Sequence, residues 1–328
     1  MDRRRWLTAS GALLCGSAIS RRARAQAPTA PADAKAFQVV VPVPPGGSVD
    51  LTARLLGERL PALLGQPVVV DNRPGASGSI AAASVARAAG DPNTLMLVFD
   101  SHATNALVYP QLPYDTQRDF TPISRLLSFP LVFAVPASLP VNTLPEFVAL
   151  ARQRPGALNY SSAGLGTLNH LAVELFKMRT STHLVHIPYR GGAPALQAVM
   201  NGDVQLFLGS WVAIGPHVRS GRVKALGVSS ARRYSVAPDL PTIAESGVPG
   251  YDVSTWIGAL APARIPAARQ QALHAAVTQA LSAPDVRQTL AQQGLEWVGS
   301  TPAEFAVFID SEARRWNELV VQRKLSLS

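Results

Sequence analysis

The sequence predicts an α/β fold of two domains, and three observations support this prediction. Short apolar runs alternate with amphipathic stretches from residue 37 onward, a pattern typical of a parallel sheet covered by helices. Predicted strands run into glycine- or hydroxyl-rich loops at 43–50, 98–105, 159–170 and 186–195. Roughly 300 residues follow an N-terminal leader, and a chain of this length buries more than one core.

Hydrophobic periodicity locates the elements of the first third of the chain. Strands are predicted at 39–43, 68–70 and 94–99, and helices at 49–64 and 80–89. Residues 71–79 are interpreted as a turn and residues 100–105 as a polar loop.

The remainder repeats this scheme. Strands are predicted at 131–135, 158–160, 184–187, 204–208 and 223–228, and helices at 143–152, 171–178, 195–201 and about 266–282, 284–293 and 302–323. Thr143 and Pro145 are typical of a helix N-cap and first turn. Because open α/β sheets bind ligands beyond the carboxyl ends of their strands, we expect the loops of the two halves to face each other across a cleft.

Residues 1–25 have the composition of an export signal. A basic start precedes an apolar middle, and Ala23-Arg24-Ala25 forms an A-x-A cleavage pattern. Arg3-Arg4-x-Trp6-Leu7 resembles the twin-arginine variant of such signals. We therefore expect a cleaved signal peptide over residues 1–25 and a linker over residues 26–36.

Removal of this segment changes the charge balance. The whole chain carries a formal net charge of +9, and residues 1–25 hold six arginines and one aspartate, which leaves +4. The excess is scattered without a Lys/Arg run, which argues against nucleic acid as a partner. Cys15 is the only cysteine, so the mature chain has no disulfide, thiolate metal site or cysteine nucleophile.

The turn at 44–47, Pro-Pro-Gly-Gly, is the first candidate binding element. Its glycines let a ligand approach the backbone, and the amides at the start of the next helix, at Ser48 and Val49, favour an anion. Asp50 suits the positive end of that helix and could accept a hydrogen bond from a ligand ammonium or a water. The alternative is a plain tight turn with a favourable acid. No nucleotide-binding fingerprint is present.

Two further loops have the same character. In residues 160–170, Ser161, Ser162 and Thr167 supply hydroxyls, and two glycines expose amides before a helix. This composition suits a carboxylate, whereas His170 is interpreted as structural. In residues 186–210, Arg190 precedes another Gly-Gly, where it either pairs with a carboxylate or is solvated or bound to an acidic side chain.

Catalytic patterns are weak. Gly75-Ala76-Ser77-Gly78 lacks the G-x-S-x-G spacing of a nucleophile elbow. Ser101 and His102 are adjacent, and sequence neighbours rarely form a working dyad. The six histidines are scattered without metal-ligand spacing. The chain therefore offers hydroxyls and backbone amides, which suit binding better than reaction.

Together these segments resemble the Bug (TctC-like) family, the extracytoplasmic solute receptors of tripartite tricarboxylate transporters. The resemblance covers nearly all of the mature chain. It is carried by "VVVPVPPGGSVDLTAR" (39–54), "VVVDNRPGASGSIAAASVARA" (68–88), "LPYDTQRDFTPIS" (112–124), "LNYSSAGLGTLNHLAVELF" (158–176), "HIPYRGGAPALQAVMNGDVQ" (186–205) and "VKALGVSSARRYSVAPDLPTIAESGVPGYDVSTWIGALAP" (223–262).

The resemblance implies a type II periplasmic-binding-protein fold, with two α/β domains joined by crossing strands near 130–136 and 223–229 and a ligand cleft between them. It implies a periplasmic receptor that delivers its ligand to membrane permease subunits and performs no chemistry. The implied domains are 37–130 with 227–328, and 131–226. Pocket loops are implied at 44–50, 100–104, 161–167, 189–192 and 209–211.

The sequence departs from the family pattern at several places. Val43 replaces a usual aromatic residue, and residues 90–97 replace a Gly-Tyr-Thr-type strand entry. Asp100 adds an acid at the pocket edge, which leaves room for an amino acid or an amide as ligand. Trp211 either stacks on an aromatic acid or packs between the domains.

These arguments define a predicted site. The amides of 46–49 and 164–167 would hold a carboxylate, Ser161, Ser162 and Thr167 would orient it, and Tyr189 and Ser210 would contact its far end. The full set of predicted ligand contacts is Pro45, Gly46, Gly47, Ser48, Val49, Asp50, Ser101, His102, Ser161, Ser162, Gly164, Gly166, Thr167, Tyr189, Arg190, Gly191, Ser210 and Trp211.

The expected ligand is a small organic acid, which could be a di- or tricarboxylate, an amino acid or an aromatic acid. We expect a monomer without cofactor or metal. Two alternatives remain open at this point. One is an exported serine hydrolase that uses Ser101 or Ser77 with a histidine, and the other is a binding-fold sensor that signals to a membrane kinase.

Overall fold

A computed structural model describes residues 35–109 and 111–325. The predicted signal peptide and most of the predicted linker lie outside the described residues. The strands are β1 (Phe37–Val41), β2 (Val68–Asn72), β3 (Thr94–Phe99), β4 (Phe120–Pro130), β5 (Val132–Pro136), β6 (Leu158–Ser162), β7 (Leu184–Pro188), β8 (Leu206–Gly209), β9 (Val223–Val228), β10 (Ser254–Pro262) and β11 (Glu296–Trp297). The helices are α1 (Ser48–Leu64), α2 (Ser79–Ala86), α3 (Ser101–Val108), α4 (Leu144–Gln153), α5 (Leu168–Thr180), α6 (Gly192–Asn201), α7 (Trp211–Arg219), α8 (Ala267–Ser282), α9 (Pro284–Gln292) and α10 (Pro302–Arg323).

The described strands form two sheets. The first has the order β11-β4-β10-β3-β1-β2, and the second has the order β7-β6-β8-β5-β9. Both are mixed, because β10 is antiparallel to β3 and β4 in the first, and β5 is antiparallel to β8 and β9 in the second. The α/β fold class is confirmed, and the antiparallel strands are a feature that the strand–helix alternation does not indicate. The antiparallel strands are those next to the points where the chain passes between the sheets.

Two local predictions are wrong for identifiable reasons. Residues 100–105 were expected to be a polar loop, but 101–108 form α3. Ser101 and Asn105 of α3 have weak helix propensity. Their side chains both donate hydrogen bonds to the carbonyl of Ser77, and this tertiary contact stabilises the helix. The long strand β4 has no counterpart among the predictions, since polar residues and two register shifts interrupt its pattern. The predicted Thr143 N-cap is confirmed, because its hydroxyl accepts the amide hydrogen of Glu146.

Helix α10 packs on both halves of the protein. Phe305 and Ile309 near its start belong to the core that also contains β3 and β10 residues of the first sheet. Trp316 and Leu319 near its end belong to the core of the second sheet. The helix therefore fastens the two sheets together at one side. Among the described residues, no helix combines the length and the apolar character needed to cross a membrane.

The chain passes between the sheets twice, and the fully buried Ser229 joins the two passages. Its hydroxyl accepts the amide hydrogen of Leu131 at 2.8 Å and donates to the carbonyl of Val253 at 2.6 Å. Its own backbone bonds the same two residues. One side chain thus holds together the segment that leaves the first sheet and the segment that returns to it.

Replacing Ser229 with alanine is expected to lower the free energy of unfolding by roughly 1–3 kcal/mol, because it leaves the buried amide of Leu131 without an acceptor. Urea denaturation measures this loss. Ser230→Ala is the matched control, since the Ser230 hydroxyl contacts only the exposed carbonyl of Arg232 and its removal should cost less than about 0.5 kcal/mol. Equal effects of the two substitutions would contradict the role given to Ser229.

Candidate ligand-binding site

The predicted loops lie at the carboxyl ends of β1 and β3 in one half and of β6, β7 and β8 in the other, and the two groups meet. The hydroxyl of Thr104 in α3 donates to the carbonyl of Gly166 at 2.8 Å. The side chain of Ser77 lies next to Gly164: a Cβ built onto Gly164 would be 3.5 Å from the hydroxyl oxygen of Ser77. The structure therefore brings residues 101–108 of one half into contact with the predicted loop at 161–167 of the other.

Asp50 lies behind the Pro-Pro-Gly-Gly turn and braces it. Its buried carboxylate accepts hydrogen bonds from the amide of Gly46, from both ends of the Arg54 guanidinium and from the side chain of Asn72, which also donates to the carbonyl of Val43. Burial alone would raise the pKa of Asp50, but the bonds from Arg54, Asn72 and Gly46 outweigh it and hold the pKa below its usual value. The Asp50 carboxylate is thus occupied by the protein.

The start of α1 offers backbone donors. The hydrogen bonds within the helix begin with the amide of Leu51, which donates to Gly47. Among the described residues, no acceptor binds the amides of Gly47, Ser48 and Val49. These groups carry the positive end of the helix dipole. Pro45 and Gly46 beside them are exposed, Gly47 is half-buried, and Ser48 and Val49 are buried.

The loop between β6 and α5 is closed on itself. The hydroxyl of Ser161 donates to the carbonyl of Ala195, and those of Ser162 and Thr167 lie within hydrogen-bonding distance of the carbonyl of Gly164. The amides of Gly164 and Thr167 also bind within the loop, and that of Gly166 donates to His170. The three predicted hydroxyls are fully or almost fully buried, so they support the loop from behind.

The start of α5 is occupied by Asp100. One carboxylate oxygen accepts the amide hydrogen of Leu168 at 3.3 Å, and the other accepts the hydroxyl hydrogen of Thr255 at 2.6 Å. Burial raises the pKa of Asp100 to about 6, against the lowering effect of these two bonds, and Glu312 adds a like charge. The chain's own acid therefore takes the helix start that the sequence analysis assigned to a ligand carboxylate.

The loops after β7 and β8 present two more helix starts. Tyr189 and Trp211 are half-buried against the core of the second sheet, and the Trp211 indole lies against Gly215 one turn further along α7. Arg190 is exposed, and the amide of Gly191 donates to Ala163. The amides of 192–193 in α6 and 211–212 in α7 find no acceptor among the described residues. Ser210 is the N-cap of α7.

Ser101 and His102 do not form a pair. The hydroxyl of Ser101 donates to the carbonyl of Ser77, while one nitrogen of His102 lies 3.2 Å from the carbonyl of Thr116. The imidazole packs against Tyr114 and Phe120. His102 therefore serves the core behind α3 and lies behind the loops.

The two serines named in the hydrolase alternative are not paired with a histidine in the part of the chain that the structure describes. Neither Ser77 nor Ser101 bonds a histidine there. The hydroxyl of Ser162 lies 2.7 Å from Nε2 of His186, but Ser162 has no exposed surface. In this part of the chain no three His, Cys, Asp or Glu side chains are grouped to hold a metal ion. A cavity of about 460 Å³ near Arg125 and Arg232 lies beside β4 and β11, away from these loops.

Sequence reasoning missed the contribution of the strained turn at 75–78. Ala76 and Ser77 both have positive φ, at 45° and 51°, a backbone conformation that residues other than glycine rarely adopt. Ser101 and Asn105 hold the Ser77 carbonyl, and the Ser77 side chain points across the contact between the halves. Gly75 and Gly78, which flank this pair, were the available signal, since glycines mark an unusual backbone.

Acidification is expected to destabilise the protein, because three histidines are buried as neutral rings. Burial lowers the pKa values of His102 and His170 to about 4 and that of His186 to about 3. The unfolded chain therefore binds more protons between about pH 6.5 and pH 4, and the raised pKa of Asp100 opposes this partly. The contribution of these histidines to stability is complete above about pH 6.5, and stability should fall by about 2–3 kcal/mol per pH unit near pH 5. Urea denaturation at pH 7, 6 and 5 tests this, and a flat profile would contradict it.

The family of the protein follows from comparison with known proteins. The family model described as "Tripartite tricarboxylate transporter family receptor", TctC, matches residues 52–325. The chain belongs to this family. The family expected from the sequence is confirmed, and so is its description as a solute-binding receptor.

Individual relatives agree with this assignment. The receptor is 36% identical to Protein BugT of Bordetella pertussis over 88% of this chain and 89% of the relative. It resembles the structure "R. palustris Rpa4515 with adipate" with a TM-score of 0.84 and 36% identity, over 88% of this chain and 97% of that one. It also resembles "MatC (Rpa3494) from Rhodopseudomonas palustris with bound malate", with a TM-score of 0.81 and 33% identity, over 88% of this chain and 99% of that one. The periplasmic-binding-protein fold is thereby confirmed.

Proposed function

We propose that the receptor captures a small organic carboxylate in the periplasm and delivers it to permease subunits of a tripartite tricarboxylate-type transporter. The observation that carries this proposal is the set of amides at Gly47, Ser48 and Val49, at the start of α1, which find no acceptor among the described residues. Unpaired amides at a helix start are a ready-made anion site. The ligand class is supported by the adipate and malate named for the two similar structures.

A second anion-binding element, opposite the start of α1, is proposed at the starts of α6 and α7. The start of α5 already holds Asp100, so a ligand carboxylate there would meet a like charge. The amides of 192–193 and 211–212 are unbound in the described residues, and the exposed Arg190 precedes the first pair by two residues in the chain. A dicarboxylate would place one end at α1 and the other end at this pair of helix starts.

The predicted hydroxyls keep an indirect role in this proposal. Ser161, Ser162 and Thr167 fix the loop whose outer surface faces Ser77, and Asp50 fixes the turn before α1. Direct contacts are assigned to backbone amides and waters, with Tyr189 and Ser210 at the far end. The ligand would favour the closed arrangement because it contacts both halves only there.

The cellular setting is also a proposal. Residues 1–25 would be removed on export, and the mature chain would act as a monomer that performs no chemistry on its ligand. The division into 37–130 with 227–328 and 131–226 stays a prediction, and the arrangement of the described strands in two sheets supports its outline.

A thermal-shift screen on the mature protein, from residue 26, tests the proposed function. We expect adipate, malate or a related dicarboxylate to raise the melting temperature, and small-angle scattering to show a more compact particle with the same compound. Adipamide is the matched control, because it keeps the shape of adipate without the charge, and it should produce neither effect. If no organic acid in a panel of C3 to C8 carboxylates raises the melting temperature, the proposed function is contradicted.

A further inference from the structure

Two stacked histidines lie directly behind the loop between β6 and α5. The rings of His170 and His186 are 4.1 Å apart and 9° from parallel, and the ring of Tyr160 stacks on His186 at 4.8 Å. Each histidine contacts one end of the loop. Nδ1 of His170 accepts the amide hydrogen of Gly166 at 3.1 Å, and Nε2 of His186 lies 2.7 Å from the hydroxyl oxygen of Ser162.

This loop makes a contact between the two halves, and its backbone conformation leaves no room for a side chain at Gly166. Gly166 has φ +67°, and its carbonyl accepts the hydroxyl hydrogen of Thr104 from α3. An added Cβ at Gly166 would lie 1.8 Å from a methyl group of Val108. A small change in the loop would therefore separate the surfaces that meet when the halves are closed.

We propose that His170 and His186 are positioning residues of the ligand site, which hold the 162–167 loop in its closing conformation as long as both rings are neutral. The proposal rests on the proposed function for its effect on ligand binding. The bond from Gly166 requires a bare Nδ1 on His170, because a protonated Nδ1 would point its hydrogen at the amide hydrogen of Gly166. Two parallel rings at this separation also oppose a charge on both rings at once, because the two like charges would repel.

The groups that face the histidines support the neutral state. Burial is the largest effect that lowers the pKa of each ring, and the nearby Lys177 of α5 lowers both pKa values further. Glu174 of the same helix raises the pKa of His170, but by less than burial lowers it. Glu174 is itself engaged by the Tyr160 hydroxyl, by Lys177 and by Arg323 of α10. Its negative charge is therefore largely neutralised by these partners, and burial keeps the rings uncharged through the neutral range.

The tautomer of His170 is the first test, and it needs no ligand. Nitrogen-15 NMR of the histidine-labelled mature protein should show His170 with a bare Nδ1 and a protonated Nε2 from pH 5 to pH 8. A protonated Nδ1 in this range would overturn the proposal whether or not any carboxylate binds. This readout therefore separates a failure of the proposal from a failure of the proposed function.

Two substitutions of His170 then separate the acceptor from the ring. His170→Phe keeps a stacked ring and loses the acceptor, whereas His170→Asn keeps an acceptor close to the position of Nδ1. We expect the Gly166 amide to exchange with deuterium at least about tenfold faster in H170F and within threefold of wild type in H170N. With adipate as the probe, H170F should weaken binding roughly tenfold, and H170N should largely restore it.

The exposed His183 supplies the control, since His183→Asn lies outside the stack and should change neither measurement. Equal exchange of Gly166 in H170F, H170N and wild type would show that the acceptor does not hold the loop. If H170N exchanges as fast as H170F, restoring an acceptor does not restore the loop, and the positioning role of Nδ1 is refuted.

Discussion

Replacing Ser48 with proline is expected to weaken carboxylate binding roughly 10- to 100-fold while the protein still folds. The substitution removes one of the unbound amides at the start of α1, and a hydrogen bond to a charged group contributes about 1.5–3 kcal/mol. Proline is well tolerated at the first position of a helix. The preceding Gly47 is extended, with φ −100° and ψ 178°, which is the conformation that a residue before proline prefers.

Ser48→Ala is the control for this prediction, because it removes the hydroxyl and keeps the amide. Isothermal titration of both variants with the dicarboxylate that gives the largest thermal shift measures the difference. The alanine variant should bind within about threefold of wild type. If alanine weakens binding as much as proline does, the side chain holds the ligand and the amide does not.

Replacing Gly166 with alanine is expected to lower the free energy of unfolding by about 2–5 kcal/mol. A residue with a Cβ at φ +67° costs about 1–2 kcal/mol, and the new methyl group would overlap Val108, which adds about 1–3 kcal/mol of overpacking. Because Gly166 lies where the halves meet, the same change should weaken ligand-induced compaction in small-angle scattering.

Gly65→Ala separates the two contributions. Gly65 has φ +65° and nothing within 4 Å of its added Cβ, so this variant should show the backbone cost alone. Urea denaturation of both variants gives the overlap as the difference. Equal destabilisation would mean that Val108 moves aside without cost and that the contact between the halves is loose.

The turn at 44–47 and the helix start that follows it could be predicted from the sequence because their properties are local. Two glycines and a helix start are adjacent in the chain, and the amides of Ser48 and Val49 are unbound in the structure as a plain helix start requires. The alternation of strands and helices likewise predicted most element boundaries to within a few residues. These features depend on short-range periodicity and capping.

The opposite side of the site could not be predicted in the same way. Ser161 and Ser162 have the composition of a ligand loop, but a buried hydroxyl bonds whichever acceptor lies nearest in the fold, and here that acceptor belongs to the protein. Asp100 reaches the start of α5, 68 residues further along the chain. Such contacts depend on how the two halves pack, which no local pattern encodes.

A crystal structure of the mature receptor with the dicarboxylate that stabilises it most tests the central claim directly. We expect one carboxylate of the ligand about 2.9 Å from the amide nitrogens of Gly47, Ser48 and Val49, with Asp100 still bound to the amide of Leu168. A ligand carboxylate at the start of α5 with Asp100 displaced, or a ligand that leaves the α1 amides unbound, would contradict it.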